Sequence, residues 1–88
     1  MKPLNYAMLK YFTTVEEASV ADVMEALKGE YSHFKAFNLD ALTSAVMTAE
    51  ANGLLEETRF ELTSEKELRV YYRAHEEGAA TINHYIQD

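Results

Sequence analysis

The sequence predicts an α+β domain, mainly helical, that spans residues 3–86 as one unit: three helices, a two-stranded β-hairpin and a short closing helix. Three observations carry this. Apolar residues recur at helical spacing through the first half of the chain. The pair Asn52-Gly53 closes that region with a residue that accepts left-handed backbone, as a helix stop requires. Beyond it, apolar and charged residues alternate on either side of the turn Thr63-Ser64-Glu65-Lys66-Glu67, which is the period of a hairpin.

Each element follows from local signals. Pro3 suits the first turn of a helix, and Leu4, Ala7, Met8, Tyr11 and Phe12 then form an apolar stripe that takes the helix to about Thr14. Tyr6 and Leu9 lie on a second apolar side. Ser19 with Asp22 three residues on reads as a capping box for a second helix. Val20, Val23, Met24, Leu27 and Tyr31 form its stripe, and Gly29 is expected to end it. An aromatic-rich connector over 28–37 leads to Asn38, which caps a third helix with Leu39, Leu42, Val46 and Ala49 inward. Leu54 and Leu55 re-enter the core after the stop.

In the hairpin, Thr58, Phe60, Leu62, Leu68, Val70 and Tyr72 are expected inward, and Glu57, Arg59, Glu61, Arg69, Tyr71 and Arg73 outward. Opposite charges facing across strands stabilise and like charges destabilise. That rule selects the register with Leu62 opposite Leu68, Phe60 opposite Val70, Glu61 opposite Arg69 and Glu57 opposite Arg73. His75 caps a last helix over 75–86, with Ala79, Ile82, Tyr85 and Ile86 on one side. Within one chain that side packs on Tyr6 and Leu9; exchanged across a two-fold, it makes a homodimer through the first and last helices.

The order of elements resembles a winged helix-turn-helix domain over nearly the whole chain. Val46, Ala49, Gly53, Leu54 and Leu55 match the apolar phrase that ends helix three in bacterial winged-helix regulators of the MarR and PadR types. Tyr72 to Gly78 partly matches the phrase by which their chain leaves the wing, with Ala74 and His75 in place of the usual Leu and Thr. The resemblance implies a DNA-binding transcription regulator that acts as a dimer through helix three and the wing, and the chain's acidic balance sets its expected DNA affinity as weak or dependent on a partner subunit. On that reading the site is Asp40, Ser44, Met47 and Thr48 on helix three, Arg59, Lys66, Arg69, Tyr71 and Arg73 on the wing, and His33 and Lys35 in the connector.

Charge weighs against that partner. Eight basic residues against fifteen acidic ones give −7, a balance that repels polyphosphate unless the cations gather on one face. The outward face of helix three carries no cation, and Asp40 stands where phosphate is expected. Arg69 and Arg73 are expected to be neutralised by Glu61 and Glu57, and Lys66 is flanked by Glu65 and Glu67. The alternative function is a protein-interaction module, for which the flat Ser44-Met47-Thr48 face is suited.

No enzyme is expected. Cysteine is absent, and His33, His75 and His84 form no metal-binding spacing. His84 is expected exposed near Asp88. The three glycines form no phosphate loop, so no cofactor, metal or catalytic residue is assigned. The start, MKPLNYAMLKYF, lacks the apolar core of a signal peptide or spanning helix, and the missing cysteines fit a reducing cytoplasm.

Overall fold

A computed structural model describes residues 2–87. Seven elements follow in order: α1 (Leu4–Phe12), β1 (Ala18–Ser19), α2 (Val20–Tyr31), α3 (Leu39–Ala51), β2 (Glu56–Leu62), β3 (Leu68–Arg73) and α4 (Glu76–Tyr85). The fold is α+β, and its sheet has three antiparallel strands in the order β1-β3-β2 rather than the two expected. The added strand is two residues long, Ala18 opposite Tyr72 and Ser19 opposite Tyr71, too short to leave a period in the sequence.

The helices start where the sequence places them. The Ser19 hydroxyl accepts from Asp22 N, and an Asp22 carboxylate oxygen accepts from Ser19 N at 2.9 Å, which completes the capping box. The Asn38 side chain accepts from Ala41 N at 2.8 Å and opens α3. Helix α1 ends at Phe12, two residues before the expected Thr14. Helix α2 does not stop at Gly29. It runs on to Tyr31, whose ring is buried and whose hydroxyl donates to the carbonyl of Lys2 at 2.6 Å. That tertiary contact draws the last turn in and outweighs the glycine's weak helix propensity.

The end of α3 is a Schellman motif. Gly53 takes φ +79°, its N–H donates to Glu50, and the N–H of Leu54 donates to Ala49. The chain then turns sharply enough to bury Leu55 fully and Leu54 in part. Leu4, Met8, Phe12, Val23, Leu42, Val46, Leu55 and Tyr72 form the core between α1, α2, α3 and the base of the sheet. Leu39 departs from expectation. It is the first residue of α3, projects beyond the core and is 56% exposed.

The hairpin register holds from the turn inward, with Leu62 opposite Leu68, Phe60 opposite Val70 and Glu61 opposite Arg69. It breaks at a bulge between Glu57 and Arg59. Thr58 is the extra residue, and its hydroxyl lies beside Arg59 on Glu17 instead of pointing inward. Parity therefore flips below the bulge. Glu56, not Glu57, opposes Arg73 and binds it, while Glu57 opposes the buried Tyr72. At the tip, Lys66 takes φ 64°, the left-handed position that follows a tight turn.

Helix α4 packs on α1, with Ile82 and the following Ile86 buried, and Lys10 Nζ donates to Asn83 Oδ1 at 2.8 Å. Tyr85 and Tyr6, expected within that contact, are both exposed. Gly78 makes the docking of α4 on the rest of the chain close. A Cβ there would lie 2.2 Å from the Leu54 carbonyl oxygen.

Candidate interaction surface

The two faces of the hairpin differ in chemistry, and each presents its own surface. The face opposite the helices centres on Tyr71, which was expected to be open to solvent. Instead the Arg59 guanidinium lies over its ring, 3.8 Å from the centroid, and the residue is buried. Arg59 is fixed there by Glu17 and Glu61, at 2.8 and 3.1 Å. The Tyr71 hydroxyl donates to Glu61 Oε1 at 2.8 Å.

The charges on this face support one another. Glu17 is held below the ordinary carboxylate range, first by the Thr58 hydroxyl and then by Arg59. Glu61 is lowered by Tyr71 and then Arg59. Arg59 is held in its charged form chiefly by Glu17, and Arg69 chiefly by the Tyr71 oxygen beside it, then by Asp22 and Glu61. Thus Arg59, Arg69 and Tyr71 do come together, and Arg59 is ion-paired with Glu17 and Glu61, whereas the expected Arg69–Glu61 ion pair does not form among the described residues: Arg69 leans on the Tyr71 oxygen instead. Arg73 lies at the hairpin base, bound to Glu56.

The other face is apolar from Tyr72 out to Leu62 and Leu68, yet only its base is covered. Ala18 and Tyr72 belong to the core, and Val70 packs against it. Further out the helical body ends, leaving Phe60, Leu62 and Leu68 each more than 60% exposed. Leu39, at the start of α3, stands with Leu68 on the rim of the same groove. This groove, of roughly 370 Å³, runs between the sheet and the N-terminal turns of α2 and α3; Val20, Leu39, Thr43, Leu68 and Val70 line it, with Asp40 at its lip.

The α3 residues expected to form a site share one exposed stripe. Asp40 borders the groove beside the hairpin, Ser44 and Met47 follow, and Thr48 reaches a second groove, of about 200 Å³, between α1 and α3. His33 and Lys35 are exposed in the connector, the ring of His33 lying edge-on to Phe34. Lys66 stands at the hairpin tip, and neither it nor Lys35 has an ion pair among the described residues. Sequence reasoning missed Glu17, because a carboxylate before a two-residue strand carries no pattern. It also missed that the apolar strip outruns the body that would cover it.

His75 opens α4 as expected, its Nδ1 accepting from Gly78 N at 3.1 Å, while Nε2 lies 3.0 Å from the Gly53 carbonyl. These contacts assign the proton to Nε2 and tie α4 to the Schellman turn of α3. His84 is exposed; Asp88, expected beside it, lies outside the described residues. Among the described residues no three His, Asp or Glu side chains converge as a metal site would, and no helix is long and apolar enough to cross a membrane. Comparison of the chain with protein-family models, with curated proteins and with solved structures gives no match.

Proposed function

We propose that this chain is a non-enzymatic regulatory domain of winged-helix architecture that works by binding another protein, with β2 and β3 as the wing and α3 in the recognition position. The element order supports the architecture: three helices, then a hairpin, then a closing helix. One observation carries the function. The exposed apolar seam of Phe60, Leu62 and Leu68 lies on the hairpin face next to Leu39 of α3, while Arg59 on the opposite face is already held by Glu17 and Glu61. Burying such a seam is favourable by roughly 25 cal/mol per Å² of apolar surface removed from water, and monomeric proteins seldom expose contiguous patches of this kind without a use for them.

Titration of short DNA duplexes at low ionic strength tests the reading. The protein-binding domain gives no measurable association. Micromolar binding that weakens steeply with added salt would overturn it in favour of a DNA-binding regulator. That second reading has its own support in exposed Ser44 and Thr48 on α3 and in the exposed Lys35 and Lys66. Affinity capture completes the test. Leu68→Arg should lose the captured protein while the far-UV spectrum stays unchanged, and Met47→Arg should do the same if the contact extends along α3.

A further inference from the structure

The sheet has two edges, the two-residue β1 and the seven-residue β2, and β2 is the longer. In the order β1-β3-β2, β2 is an edge strand, and residues 57–62 are all exposed. An open edge offers unpaired backbone N–H and C=O groups to any extended chain. The hairpin turn shows which groups these are. Thr63 N donates to Glu67 O at 2.9 Å, so Thr63 faces β3. Alternation along an antiparallel ladder then gives Glu61 and Arg59 to β3 and leaves Leu62 and Phe60 facing outward.

From this edge we infer that the chain self-associates by pairing β2 with β2 of a second copy, antiparallel about a two-fold axis beside Phe60. Outward-facing residues must pair with outward-facing residues, which limits where the axis can fall. Centred on Arg59, the pairing sets two arginines together and Glu57 against Glu61 of the second copy. Centred on Glu61, it sets two carboxylates together. Centred on Leu62, it runs into the turn. Centred on Phe60, it sets Arg59 of each copy opposite Glu61 of the other and stacks two phenylalanines at the axis.

This register is self-complementary in charge and joins the two apolar strips on one side of a continuous six-stranded sheet. The bulge at Thr58 ends the shared ladder after about five residues a side, so the interface is small and the affinity modest. The pairing does not require the protein-binding reading above: it is made by the backbone edge of β2, and it shares Phe60 with the apolar seam but not the groove beside α3. It is also distinct from a dimer built on α1 and α4.

Sedimentation equilibrium of the full chain tests it. A monomer–dimer equilibrium should develop between about 10 µM and 1 mM, the range of a small interface. Arg59→Glu should weaken it on the order of tenfold, since like charges then meet twice. The double variant Arg59→Glu/Glu61→Arg should restore it. As Arg59 also binds Glu17 within one copy, a covalent probe gives a second readout. The chain has no cysteine. Phe60→Cys should therefore oxidise rapidly to a linked dimer, and Thr81→Cys on α4 should not. A chain that is monomeric at 1 mM, a double variant without recovery, or faster linking at position 81 would each overturn the inference. So would an edge that gains amide protection only when another protein is added.

Discussion

At the scale of single residues, two backbone positions carry opposite constraints. Gly78 is fixed by crowding: a methyl group would meet the Leu54 carbonyl. Gly78→Ala should therefore destabilise by about 1–3 kcal/mol in urea titration, despite alanine's better helix propensity, because the obstacle is backbone and yields poorly. Lys66 has the reverse problem, a side chain where only glycine is free of strain. Lys66→Gly should raise stability by up to about 1 kcal/mol, less the backbone entropy that glycine adds to the unfolded chain, and the gain should appear as a higher Tm. Asn52-Gly53 was legible as a stop because glycine has a strong positional meaning there. Gly29 was misread as one because the contact that overrides it, Tyr31 on Lys2, is distant in sequence.

At the scale of elements, the hairpin shows what alternation can and cannot reveal. Its register near the turn follows from charge pairing alone. Below Thr58 the same reasoning fails. Glu56 and Glu57 are identical side chains, and only the bulge decides which one meets Arg73. Alternation likewise identifies the apolar face of the hairpin but not how far the helices reach along it. Burial separates the two ends of that face. Leu68→Ser, at the exposed tip, should change stability by less than about 0.5 kcal/mol, whereas Leu55→Ala, fully buried just before β2, should cost about 2–5 kcal/mol. Chemical denaturation of the two variants, with matched slopes, checks the contrast. A large loss at Leu68 would mean that the seam is structural rather than available to a partner.

At the scale of the whole molecule, the charge total pointed to weak affinity for polyanions but not to where the few cations are held. Glu17, Arg59, Glu61 and Tyr71 form a network whose members come from β2, β3 and the approach to β1, so no local pattern could announce it. Its pH dependence has a definite sign. Glu17 and Glu61 titrate below the ordinary glutamate value of about 4.3 in the folded chain. Their contribution is present above that value and is lost as pH falls through the lowered folded values. Thermal melts should thus show a fall in Tm in acid, and the fall should be shallower in Glu17→Gln.

The imidazole of His75 is engaged at both nitrogens, one by the first turn of α4 and the other by the Gly53 carbonyl. An acylating reagent such as diethyl pyrocarbonate can reach it only when the last helix lifts away, whereas His33 and His84 stand open to attack at all times. Two histidines should then be modified at the rate of a free imidazole and one slowly. The lag of the slow one measures how often the C-terminal segment detaches, with no label added to the chain.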